Sequence, residues 1–124
     1  MSDIQRYPSS LPFPFSRAVK AGGFLFLSGQ IPMTADGQVV KGDIQTQTEA
    51  VMTRIAESLE ACGANYSQVV KTTVWLSDMA HFAGFNEVYK RYFEQGLPVR
   101  SCVASALALG VDVEVEVQAY VGQA

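Results

Sequence analysis

Polar and apolar positions alternate most cleanly near the C-terminus of this chain. Val111, Val113, Val115, Val117, Ala119 and Val121 fall on one side, and Asp112, Glu114, Glu116, Gln118 and Tyr120 on the other. A period of two predicts a strand with one face in a core. Two helical stretches can cover that face. In the first, Val51, Met52, Ile55, Leu59 and Cys62 recur at spacings of three and four, with Asp43 as N-cap and Gly63 as the stop. In the second, Phe82, Phe85, Tyr89 and Tyr92 share a face after the capping Asp78, and Gly96 and Pro98 end it.

Shorter strands complete the pattern. Residues 17–20 and 24–27, joined through Ala21-Gly22-Gly23, read as a hairpin. Asp36-Gly37 marks a turn before a short strand at 38–40. Residues 69–76 and 99–105 flank the second helix, and a strand–helix–strand succession predicts a right-handed parallel crossover. Residues 1–14, with Pro8, Pro12 and Pro14, read as an extended arm, and 15–124 as a single domain. The expected architecture is a two-layer α+β domain, one mixed six-stranded sheet with two helices on one face. Its other face is left for copies of the same chain, and a closed ring would leave none of it free.

Composition narrows the function. The chain has 124 residues, 48% hydrophobic and 17% charged, which is the balance of a folded domain. A net charge of −3 and nine scattered Lys and Arg argue against general nucleic-acid binding. No stretch approaches membrane-spanning length, and the first residues hold no apolar signal core. Cys62 and Cys102 read as reduced thiols, so the expected location is cytoplasmic. His81 is the only histidine and stands at no metal-ligand spacing from the cysteines, so no metal is expected. No serine sits in a nucleophile elbow, and Gly22-Gly23 lacks the following helix of a phosphate cradle.

Two features remain. Arg100, in Leu97-Pro98-Val99-Arg100-Ser101-Cys102-Val103, is a charge in a strand that otherwise reads as core. Either it pairs with a strand neighbour, Glu114 or Glu116, or it clamps a ligand carboxylate, a contact worth roughly 1.5–3 kcal/mol. The carboxylate row of the last strand is either a solvated face or the source of a general base beside the arginine.

Several stretches taken together resemble the RidA family (reactive intermediate deaminase, also called the YjgF or L-PSP endoribonuclease-like family). They are Ser16-Arg17-Ala18-Val19-Lys20-Ala21-Gly22-Gly23, Phe24-Leu25-Phe26-Leu27-Ser28-Gly29-Gln30-Ile31-Pro32, Val69-Val70-Lys71-Thr72-Thr73-Val74-Trp75-Leu76-Ser77-Asp78-Met79, Phe85-Asn86-Glu87-Val88-Tyr89, Pro98-Val99-Arg100-Ser101-Cys102-Val103 and Val113-Glu114-Val115-Glu116. The resemblance implies a chorismate-mutase-like subunit in a homotrimer with three interface pockets. It implies hydrolysis of 2-enamines and 2-imines to 2-oxo acids and ammonia, with no cofactor. Arg100 would hold the substrate carboxylate, and a strand glutamate, Glu114 with Glu116 as the alternative, would activate water. Ser28 and Gly29 would line the pocket opposite the arginine, with Asn86 and Cys102 near it.

Two positions depart from the family pattern. Phe15 stands where the family has Tyr, which removes a hydroxyl from the substrate-binding set, and Ala108 stands where Pro is expected. Tyr7 and Tyr120 are candidates to replace the lost hydroxyl. Three functions follow in order: an imine deaminase acting on a small carboxylate-bearing imine or enamine, a non-catalytic binder of 2-oxo acids, and an endoribonuclease or translation inhibitor, which the acidic balance opposes. No nucleic-acid or membrane partner is expected.

Overall fold

In the computed structural model, which describes residues 3–122, the alternating segment forms β6 (Val113–Tyr120) inside a six-stranded sheet. The other strands are β1 (Gln5–Pro8), β2 (Ser16–Ala21), β3 (Phe24–Leu27), β4 (Val69–Leu76) and β5 (Val99–Ala104), in the spatial order β1-β2-β3-β6-β4-β5. Among these described strands only β4 and β5 pair in parallel. The connection between them carries α2 (Phe82–Tyr89), and α1 (Ile44–Ala61) precedes β4. The expected mixed sheet with two helices is the observed one.

The buried side of β6, Val113, Val115, Val117 and Ala119, shares one core cluster with Val51, Met52, Ile55 and Leu59 of α1. Asp43 starts α1 by accepting from the Thr46 N–H at 2.8 Å, which satisfies one of the free donors of the first turn. Gly22 and Gly23 close the β2–β3 hairpin with φ of 59° and 85°, the left-handed pair a two-residue turn requires. On the opposite face of the sheet Phe24, Phe26 and Tyr120 remain 38%, 39% and 49% exposed.

Four expectations change. Gln5–Pro8 belongs to the sheet and not to an arm outside it: Gln5 pairs with Lys20 and Tyr7 with Ala18, and an edge strand tolerates its proline at the end. The segment 38–40 makes a single bridge, Val39 to Met33, because the turn through Thr34 and Gln38 closes too early for a longer ladder. Asp112 lies before β6 and takes bonds from Ser77 Oγ (2.6 Å) and Gln47 Nε2 (2.9 Å), so the strand face carries two carboxylates, not three. The aromatic stripe also divides: Phe85 and Tyr89 are buried, while Phe82 is 41% exposed. Asp78 caps the single 3-10 turn Met79–His81, which leads into α2. Among the described residues no helix is long and apolar enough to cross a membrane.

Candidate active site

Arg100 sits on the edge strand β5, in register with Thr72. Thr72 is buried and shares a hydrogen bond of 2.7 Å with the Tyr89 hydroxyl of α2, so Arg100 points to the helix side of the sheet. Its Nη1 donates to Asn86 Oδ1 at 2.8 Å. Its guanidinium carbon lies 5.0 Å from the Tyr89 ring centre, 5.5 Å from Phe82 and 5.7 Å from Phe85. Three rings and one amide therefore hold the cation in place before any ligand arrives. The ion pairs among the described residues are His81–Asp112 and Arg91–Glu87, so the salt bridge from Arg100 to Glu114 or Glu116 does not form.

Cys102 lies beside Arg100 on the same side, opposite Val74. Burial pushes its thiol pKa up and the Arg100 charge pulls it partly back, which favours the thiol over the nucleophilic thiolate.

Glu114 and Glu116 face away from the helices, opposite Trp75 and Thr73. Only Glu114 lines a cavity of about 690 Å³, together with Phe15, Gly29, Ala108 and Leu109. The chain fixes Gly29 there by local bonding. Ser28 Oγ donates to the Ser16 carbonyl at 2.6 Å, and Gln30 exchanges backbone bonds with Val115 at 2.8 and 3.1 Å. A side chain on Gly29 would collide with Glu114 Oε2, so glycine is what lets the carboxylate lie against this turn. Burial first, and the Glu116 charge second, raise the Glu114 pKa above the ordinary glutamate value.

Phe15 is 45% exposed and stacks on Phe13 at 6.2 Å. Neither Tyr7 nor Tyr120 lines the cavity. Tyr7 packs on the core, and Tyr120 stands six residues along β6 from Glu114, about 20 Å away. The hydroxyls that do line it belong to Ser9, Ser10 and Ser58, and with Arg17 and Arg54 they are among the lining residues that sequence reasoning missed. Polar residues in a proline-rich stretch and on a helix carry no motif, so only the fold could reveal them. Leu109 adopts a left-handed φ of 59°, the one such non-glycine among the described residues, directly after Ala108, the position at which the family resemblance implies proline.

The predicted residues thus form two half-sites. Arg100, Asn86 and Cys102 lie at the open edge beside α2, while Phe15, Gly29 and Glu114 share the cavity, which also borders α1 through Arg54, Glu57 and Ser58; Ser28, expected in the pocket, is not among its lining residues. A single chain does not bring them together. One half can fix an anion and the other can accept a proton. A third constellation, Ser77, Asp112 and His81, places the carboxylate between the other two, with His81 Nε2 at 3.7 Å from Asp112 Oδ1. Among the described residues Ser77 and His81 share no hydrogen bond, so this is not the serine–histidine pair of a nucleophilic triad. No group of side chains fit to hold a metal occurs among the described residues.

The family model described as Endoribonuclease L-PSP matches residues 8–121. Protein HMF1 of Saccharomyces cerevisiae is 48% identical over 103 residues, covering 82% of this chain and 80% of that protein. The 2-iminobutanoate/2-iminopropanoate deaminase of Capra hircus is 39% identical over 111 residues, covering 88% and 81%. The crystal structure of yeast Mmf1 superposes with a TM-score of 0.86 at 36% identity, covering 98% of this chain and 96% of that one. With a match that runs from the end of β1 past the end of β6, the chain belongs to the Endoribonuclease L-PSP family, the YjgF/RutC/RidA group of proteins.

Proposed function

We propose that this protein hydrolyses 2-imino acids, and the 2-enamines that tautomerise to them, to 2-oxo acids and ammonia. It does so as a homotrimer in which Arg100 of one subunit faces Glu114 of the next. The carrying observation is Glu114: a half-buried carboxylate of raised pKa, held against Gly29 in a cavity large enough for a small acid. Separate half-sites on one chain, and an exposed aromatic patch on the sheet, support the shared pocket. The deaminase name of the goat relative supports the reaction class.

The chemistry follows from the residues. Arg100 takes the substrate carboxylate in its remaining N–H groups. Water adds to the C=N carbon while Glu114 accepts a proton from it, giving a carbinolamine. The nitrogen takes up that proton, the carbinolamine hydroxyl then gives its own proton through Glu114 to the same nitrogen, the C–N bond breaks, and ammonia leaves as the carbonyl forms. No electrons are exchanged and no cofactor takes part. Imines hydrolyse readily, so positioning and one base suffice. Free Cys62 and Cys102 support a reducing, cytosolic setting.

Generating 2-iminopropanoate or 2-iminobutanoate in situ with an amino-acid oxidase, and following 2-oxo-acid release, tests the reading. Acceleration over buffer is expected, with kcat/KM down about a hundredfold in Arg100→Ala. Equal rates for that variant and the parent overturn it. Phe15 favours one second reading, a binder of 2-oxo acids without turnover, because a phenyl ring cannot hold water as a phenol does. Ligand-dependent stabilisation that needs Arg100, with no catalysis, selects that reading.

A further inference from the structure

The cavity that holds Glu114 also takes in two arginines that imine hydrolysis does not need, Arg17 and Arg54. Arg17, in β2, donates through Nε to Ser58 Oγ at 2.9 Å, and Ser58 is buried in α1. Arg54, one turn earlier on α1, donates through Nε to Gln30 Oε1 at 3.0 Å and through Nη1 to the Thr34 carbonyl at 3.0 Å. The Gln30 amide donates in turn to the Ser28 carbonyl at 3.1 Å. Arg54 is thereby tied to the turn that sets Gly29 beside Glu114.

These contacts hold Arg17 through Nε alone and Arg54 through Nε and Nη1, which also meets the Met33 carbonyl at 3.4 Å, and leave the remaining outer nitrogens over. Among the described residues, neither Nη of Arg17 and not Nη2 of Arg54 has a protein partner, and neither arginine belongs to an ion pair. Glu57 also lines the cavity, but it is solvent-exposed and beyond ion-pair distance from both. Burial lowers the Arg54 pKa, Glu57 opposes that shift, and the Arg17 charge adds to it. Two partly buried cations that repel each other stabilise an anion placed between them, and guanidinium forks match a carboxylate. Glu114 does not serve as that anion: it forms no ion pair with either arginine. Ile31 and Met33 line the same space and suit the methylene groups of an acidic side chain.

We propose that Arg17 and Arg54 bind the distal carboxylate of a dicarboxylic 2-imino acid, so that imines of the acidic amino acids are the favoured substrates. The proposal rests on the deaminase reading for the α-carboxylate and the reacting carbon. Arg100 of the neighbouring subunit holds one end, Glu114 serves the imine carbon, and Arg17 with Arg54 holds the other end.

The test compares 2-iminosuccinate, made in situ by an aspartate oxidase, with 2-iminopropanoate made from alanine. Parent, Arg17→Gln, Arg17→Lys and Arg54→Gln are measured on both. The parent is expected to show a kcat/KM at least about tenfold higher for the dicarboxylate, the size of one charge-assisted contact. Either Gln variant loses most of that ratio, and Arg17→Lys keeps part of it. An arginine with only a structural role lowers both substrates alike. An unchanged ratio therefore overturns the proposal, as does a parent without preference, and both results leave the deaminase reading standing. Calorimetric binding of 2-oxoglutarate and 2-oxobutanoate separates the two ideas further. If no imine is hydrolysed, yet 2-oxoglutarate binds about tenfold tighter and loses that margin in Arg17→Gln, the dicarboxylate site stands and the deaminase reading falls. Equal binding of the two acids with equal turnover of the two imines overturns the site.

Discussion

Glu114 keeps its proton to higher pH than a free glutamate, whose ordinary value is 4.5, because burial and Glu116 both penalise its charge. The folded protein therefore binds more protons at this site than the unfolded chain just above that value. Stability at this residue falls as pH rises through the window between the unfolded and folded pKa. Glu114→Gln is expected to lower deaminase kcat by about a hundredfold or more while leaving the pH 7 melting temperature at or above the parent's. A clearly lower melting temperature would contradict the assigned cost of the buried charge. In the parent, activity should decline toward acid with its half-point above 4.5. Gly29→Ala meets Glu114 Oε2 and not backbone, so the protein should still fold, with turnover reduced about tenfold or more as the carboxylate moves aside. Arg100 was legible in the sequence as a charge in an apolar run. Asn86 was legible only through the family resemblance and the three rings not at all, because they reach Arg100 only through the crossover that lays α2 over β5.

At the scale of elements, hydrophobic period carried the reading as far as burial alone decides structure. β4 and β6 alternate or run apolar because they lie in the middle of the sheet, and α1 shows its stripe because one side faces the core. β1 escaped notice because an edge strand with Arg6 and Pro8 buries little and leaves no period. The two halves of the site escaped for another reason: periodicity gives the face of a strand but not which faces meet. The contact of α2 with β4 can be tested at the Thr72–Tyr89 bond. Tyr89→Phe leaves the buried Thr72 hydroxyl without its partner and should cost about 1–3 kcal/mol in denaturant unfolding. No loss would show that the hydroxyl pair is energetically neutral.

For the whole molecule, the proposed ring predicts a light-scattering mass of three times the 13.4 kDa chain. A monomer would leave Arg100 and Glu114 on opposite sides of one sheet and remove the shared pocket. Mixing gives a sharper measurement. Arg100→Ala and Glu114→Gln chains, inactive alone, should regain activity when unfolded and refolded together, since about one pocket in four then pairs an intact arginine with an intact glutamate. No recovery would place the whole reaction within one chain. The opposite-facing half-sites also bear on inheritance. In the proposed ring, a subunit that has lost both residues would disable the pockets on each of its sides, including those to which a healthy neighbour contributes. One damaged gene copy would thus suppress the product of an intact copy in the same cell, and the defect would be dominant.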